Sequence, residues 1–177
     1  MDKAAVLVDD GYIRAIKRKY YPGKSIDYLK LSDALCEGYT RFRTYFYTCM
    51  PYQSNPPTER ENTLYSSMDS FLSHLRGLPR FEVRLGRLRR TGNGSYEQKG
   101  VDVLFAIDLV QLCVGKYVNK VFLITGDSDM VPAVRIAKDA MAIMALVYHP
   151  SEYSRHLYDI CDERIPLSRA FIDKVCL

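Results

Sequence analysis

The stretch Val121-Phe122-Leu123-Ile124-Thr125-Gly126-Asp127-Ser128-Asp129 decides the fold. Its apolar run shows no alternation, so Val121–Thr125 reads as a strand covered on both faces, as in a parallel sheet. Glycine and two acids then end it at once. Outward from there, Ala4–Val8 and Ala142–Tyr148 repeat the apolar pattern, and Arg41–Thr48 and Phe81–Leu88 are further short strand candidates. The segments between them keep helical spacing: Tyr28, Leu31 and Leu35; Leu64, Met68, Phe71, Leu72 and Leu75; Val101–Val114. Val131–Ala140 reads as a helix with Pro132 in its first turn, and Glu152–Cys161 as a last helix before a breaker at Pro166. Strands alternating with helices predict an α/β fold with a parallel sheet and helices on both faces.

At 177 residues, 47% hydrophobic and 26% charged, the chain has the composition of an ordinary globular protein, and we expect one domain over 1–177. The five cysteines are odd in number and widely spaced, and with three histidines they form no zinc pattern. Only five apolar residues separate Lys3 from Asp9-Asp10, too few for a signal peptide, and no apolar run reaches bilayer length. The expectation is a soluble, cytoplasmic protein without a membrane partner.

Net charge is +4, from 25 basic and 21 acidic residues. The window Arg80–Gly100 holds six of the bases (Arg80, Arg84, Arg87, Arg89, Arg90, Lys99) against Glu82 and Glu97, so nineteen of each sign remain elsewhere. One segment carries the whole surplus. It is either the footprint of a polyanion site or a solvated basic loop.

In open parallel sheets, ligands collect outside the carboxyl ends of the strands, where strand order reverses. Asp9 and Asp10 follow the first strand, Asp127 and Asp129 follow Val121–Thr125, and Asp102 opens a helix after Lys99-Gly100. If the two strands are neighbours, these acids converge. Clustered carboxylates repel unless some stay protonated or a divalent cation joins them. Oxygen-only donors suit Mg²⁺ or Mn²⁺. Each acid taken singly also reads as a helix cap or turn residue, and Asp9-Asp10-Gly11 as a turn. Asp108 interrupts an apolar helix off the Asp102 face and reads as a structural or supporting acid with a buried donor. The chain has no dinucleotide fingerprint, no P-loop and no nucleophile elbow. Carboxylates with a metal remain, and phosphate-ester hydrolysis is their commonest use.

Val8-Asp9-Asp10-Gly11-Tyr12, Lys99-Gly100-Val101-Asp102-Val103 leading to Asp108-Leu109, and Thr125-Gly126-Asp127-Ser128-Asp129 resemble the three motifs of NYN domains, PIN-like nucleases, with the LabA-like branch nearest. Tyr45-Phe46-Tyr47 before Met50-Pro51-Tyr52, and Ser154, Leu157 and Asp162, extend the likeness along the chain. The resemblance implies a three-layer α/β/α PIN-like fold and an acidic pocket for Mg²⁺ or Mn²⁺. It implies RNA as partner, with Asp9, Asp102, Asp127 and Asp129 as the catalytic, metal-holding acids. Asp10 and Tyr12 depart from the glycine and asparagine many members carry, and the missing asparagine removes a contact to metal-bound water or phosphate.

The function expected is a metal-dependent ribonuclease. Asp10, Tyr12, Thr125, Ser128 and Asp108 would support the acids, and Arg84, Arg87, Arg89, Arg90 and Lys99 would bind single-stranded RNA. Arg89 and Arg90 are favoured because the loop Thr91–Gln98 frees them from the sheet, whereas alternation along Phe81–Leu88 puts Arg84 and Arg87 on opposite faces. A non-catalytic RNA-binding module with the same pocket is the alternative, favoured by Tyr12. A Toprim-type reading of Asp127-Ser128-Asp129 needs a glutamate where the chain has Asp9.

Overall fold

The computed structural model describes residues 1–92 and 96–177, without the side chains of Arg89, Arg90, Glu97 and Gln98. The first strand, β1 (Lys3–Asp9), runs directly into α1 (Asp10–Tyr20). Then follow α2 (Tyr28–Leu35), β2 (Thr40–Thr48), α3 (Glu59–Gly77) and β3 (Phe81–Leu85). A hairpin of β4 (Arg87–Arg90) and β5 (Tyr96–Lys99) leads into α4 (Val101–Val114) and β6 (Lys120–Ile124). A 3₁₀ turn (Ser128–Met130) precedes α5 (Val131–Asp139), β7 (Ile143–Tyr148), α6 (Arg155–Ile160), β8 (Glu163–Pro166) and α7 (Arg169–Lys174).

Six strands form one parallel sheet in the order β3-β2-β1-β6-β7-β8. The chain builds outward from β1 through β2 to β3, crosses back, and builds outward again from β6. Strand order therefore reverses between β1 and β6, the crevice position that such sheets use for ligands. Ala4 through Val8 are fully buried because both faces are covered. Ala4, Val6 and Val8 face Ile13, Ile16, Leu31, Leu72 and Ile172 from α1, α2, α3 and α7. Ala5 and Leu7 face Phe105, Leu109, Val134 and Leu157 from α4, α5 and α6. Three layers result, as expected from the apolar pattern. All five cysteines are free thiols. Among the described residues no helix is long and apolar enough to cross a membrane.

The structure corrects the sequence reading in four places. Asp9-Asp10-Gly11 is no turn, since α1 starts at Asp10 with no loop after β1. The expected last helix Glu152–Cys161 is shorter, Arg155–Ile160, and the short elements β8 and α7 follow it, β8 ending at Pro166 where only a breaker was expected. Phe81–Leu88 is not one strand. Gly86 separates β3, which joins the sheet, from β4, which pairs antiparallel with β5, so an alternation counted across it does not describe one pair of faces. The presumed loop Thr91–Gln98 likewise enters β5 at Tyr96.

Gly86 is required by close packing. A Cβ there would lie 2.5 Å from Val101 Cγ2, 2.9 Å from the Lys99 carbonyl oxygen and 3.1 Å from Cys49 Sγ. The glycine thus lets the hairpin's base lie against the start of α4, at the residue next to Asp102. Gly86→Ala should destabilise by about 1–3 kcal/mol, the usual cost of overpacking. Urea unfolding followed by circular dichroism checks this, and an unchanged midpoint would show that the backbone has room to move.

Candidate functional site

The site is assembled where β1 and β6 stop. Val8 pairs with Ile124 in parallel register, so Asp9 and Thr125 leave the sheet side by side. Asp9 caps α1, its Oδ1 accepting the Tyr12 N–H at 3.3 Å. Its Oδ2 accepts the Thr125 hydroxyl at 3.1 Å, and Thr125 Oγ1 accepts the Asp127 N–H at 3.2 Å. A buried threonine thereby ties the end of β1 to the acidic turn after β6. Asp127 caps the 3₁₀ turn, accepting the Asp129 N–H on Oδ1 at 2.9 Å.

Asp102 reaches the same place from the first turn of α4, which packs against the 3₁₀ turn together with α5 and α6. Its carboxyl is raised above the ordinary value, first by burial and then by the charges of Asp127 and Asp129. Asp9 is also raised: burial outweighs the hydrogen bonds from Tyr12 and Thr125, and Asp102 adds to the rise. Two of the acids thus register the like charge of their neighbours. Asp9, Asp102 and Asp127 share an open cleft of about 480 Å³ with Tyr12, Glu152 and Tyr153. Asp129 is exposed on the turn beside them.

All four acids offer hard oxygen donors, the chemistry that suits Mg²⁺ or Mn²⁺. Among the described residues, no three carboxylate, histidine or cysteine groups stand ready to hold an ion. The expected cage is therefore a shared neighbourhood and not a formed coordination sphere. Mg²⁺ tolerates that arrangement, because it usually keeps several waters and takes one or two carboxylates plus phosphate oxygens.

The other residues singled out from sequence divide among several places. Asp10 is buried and points away from the cleft, bonded to Thr48 Oγ1 at 2.7 Å and to Arg14 at 2.8 Å, in a separate cavity with Tyr28 and Met68. Asp108 accepts Tyr47 Oη at 2.9 Å and Arg84 Nε at 3.0 Å, so its donors are a phenol and a guanidinium. Arg84 is consequently held on the α4 face of β3, its guanidinium 5.4 Å from the Tyr45 ring centroid. Arg87 and Lys99 are exposed and face each other at the base of the hairpin, next to the start of α4. The side chains of Arg89 and Arg90 lie outside the described residues. Ser128 is exposed on the acidic turn.

Tyr12 is the least expected element. Its ring packs on Gly126, where a Cβ would come within 2.8 Å of two ring carbons. Its hydroxyl donates to the Glu152 carbonyl at 2.5 Å and accepts the His149 N–H at 2.9 Å. Burial pushes its phenol up to about 12, so it stays a neutral donor. Sequence reading missed Glu152 as part of the cleft, having placed it in a helix, and missed Tyr153 for the same reason. The available signal was positional, since the loop after a strand next to β6 must rise beside the crevice.

A family model described as NYN domain matches residues 3–168. The chain belongs to the NYN domain family, within the PIN-like nuclease superfamily, and its sheet and layers are those of a PIN-like fold. The uncharacterized protein y4oD of Sinorhizobium fredii is 35% identical over 75 residues, which is 42% of this chain and 33% of that protein. The chain thus matches about a third of that relative's length. A crystal structure of VPA0982 from Vibrio parahaemolyticus, described as a protein of unknown function, superposes with a TM-score of 0.73 at 23% identity, covering 99% of this chain and 96% of the other.

A raised carboxyl means that ionisation costs more in the folded than in the unfolded chain. That cost is absent below the ordinary value of 3.8 and complete above the raised one. In metal-free buffer Asp102→Asn should therefore raise the melting temperature at pH 7, and the gain should vanish as pH falls through the raised value. Thermal melts of both proteins from pH 7 to pH 3 check this. A lowered melting temperature at pH 7 would mean that Asp102 stabilises the start of α4 more than its neighbours repel it.

Proposed function

We propose that this chain is a metal-dependent ribonuclease that hydrolyses RNA phosphodiester bonds in the cleft between β1 and β6. The observation that carries the reading is the convergence of Asp9, Asp102 and Asp127 on that cleft, with Asp9 and Asp102 raised in part by neighbouring negative charge. Membership of a nuclease-like family supports a nucleic-acid partner. Asp9, Asp102, Asp127 and Asp129 would hold Mg²⁺ or Mn²⁺. When bound, such an ion polarises the phosphate and makes a nucleophile of water near neutral pH. The chain's own residues then have three tasks. Asp9 and Asp127 keep a fixed separation through Thr125, Asp102 brings a carboxylate from the opposite wall, and Tyr12 closes the floor.

A second reading, an RNA-binding module without turnover, is favoured by Tyr12. Its hydroxyl is already committed to Glu152 and His149, so it does not supply the contact to water or phosphate that an asparagine would. Labelled single-stranded RNA incubated with Mn²⁺, Mg²⁺ or EDTA separates the two. Metal-dependent cleavage by the wild type should drop to the EDTA level in Asp127→Asn. Mn²⁺ should also stabilise the wild type, by about 2.7 kcal/mol at a hundred times Kd, and so raise its melting temperature, with a smaller rise in Asp9→Asn and Asp129→Asn. Full cleavage by Asp127→Asn, with contamination excluded, would remove the acids from the chemistry.

Under the same reading, Arg87, Arg89, Arg90 and Lys99 on the hairpin meet RNA phosphates beside the cleft. Phosphate contacts give affinity without sequence information. Replacing Arg89 and Arg90 with alanine should weaken binding to all single-stranded sequences alike and flatten the salt slope by about 0.7 per lost contact. Anisotropy titrations at several salt concentrations measure both. An unchanged slope would make the basic surplus a solubility feature.

A further inference from the structure

Deepening the nuclease reading, on which it rests, we infer that Tyr153 is a stacking platform for an unpaired base, and hence that the cleft takes single-stranded nucleic acid. Tyr153 lines the same cleft as Asp9, Asp102 and Asp127, and 38% of its surface is exposed. A large aromatic ring left open at a polar cleft gains by covering its face, and every base offers a π-face to cover it. The ring is also rigidly backed, its centroid 5.2 Å from those of both Tyr148 and Tyr158.

The loop that carries it is fastened along its length. Glu152 N–H donates to the His149 carbonyl at 2.9 Å, and Ser151 N–H to His149 Nδ1 at 3.2 Å. From α1, Lys19 Nζ and Tyr20 Oη reach Glu152 Oε2 at 2.6 and 2.8 Å, and the Tyr12 hydroxyl holds the Glu152 carbonyl. On the far side Ser154 caps α6. Ordering the platform on binding therefore costs little conformational entropy. Arg155 follows at the start of α6, its guanidinium exposed but paired with Asp159 at 3.0 Å, so the ring of Tyr153 and not this cation is the contact offered to the strand. Bases paired and stacked in a duplex have no free face to give, so the platform discriminates strand from duplex.

The test uses a short mixed-sequence RNA, single-stranded or annealed to its complement, in EDTA so that nothing is cleaved. Tyr153→Ala should weaken single-strand binding by about tenfold or more, the worth of one base stacked on an aromatic ring, with duplex binding and the salt slope unchanged. Tyr153→Phe should bind like the wild type, because the ring and not the hydroxyl is the contact. The sequence contains no tryptophan, so Tyr153→Trp introduces a sole indole. Its fluorescence should be quenched by the single strand and not by the duplex. Equal single-strand affinity in Tyr153→Ala, or an indole blind to RNA that binds, would overturn the stacking assignment alone. A wild type that binds neither form would overturn it together with the reading beneath it.

Discussion

The parallel pairing of β1 with β6 is the constraint on which the rest depends. Both strands are buried on both faces, and their register places Asp9 beside Thr125 at the sheet's carboxyl edge. Raising a carboxyl by one pKa unit costs about 1.4 kcal/mol. Burying each Val, Leu or Ile of these strands contributes about 1.5–3 kcal/mol. The fold can therefore tolerate crowded acids at one edge because the strands beneath them are so thoroughly buried. The crowding is local, and the cost is small against the core that imposes it.

Capping and site chemistry are not rival descriptions of Asp9 and Asp127. Each caps a helical turn with one carboxylate oxygen, and the caps aim both residues. Asp9 starts α1 so abruptly that no loop lets it drift, and Asp127 is fastened to β6 through the Thr125 hydroxyl. Tyr12 extends the same order to the loop after β7, reaching across Gly126 to Glu152 and His149. His149, stacked on Tyr20 at 3.9 Å, is held below its ordinary pKa, chiefly by burial. It stays neutral near pH 7, which suits its Nδ1 accepting the Ser151 N–H.

The basic surplus is divided by the fold. Arg84 is turned to the α4 face and engaged by Asp108, an internal arrangement that also satisfies Tyr47. Arg87 and Lys99 are carried onto a hairpin outside the main sheet, because Gly86 ends β3 and lets the chain turn against α4. One arithmetical excess in the sequence thus has two structural meanings.

The apolar runs Ala4–Val8 and Val121–Ile124 determined by themselves that the fold is a layered parallel sheet, because only a doubly covered strand is apolar at every position. The spacing of Leu31 and Leu35, and the span Val101–Val114, likewise located helices whose apolar residues face that sheet. Sequence also marked Asp9, Asp102 and Asp127, since acids that directly follow buried strands or open a helix stand out against their neighbours. What it could not decide was direction. Asp10 is adjacent to Asp9 in the chain, yet helix geometry turns it to the opposite side, toward Arg14 and Thr48. Arg84 and Arg87 are three residues apart but belong to different sheets, because the chain leaves β3 at the closely packed Gly86. Glu152 and Tyr153 reach the cleft only because β7 lies beside β6, a pairing far apart in the chain and set by packing. Local pattern fixes elements through short-range sterics and burial. Which side chains meet depends on contacts between distant segments, and those exist only once the tertiary structure has formed.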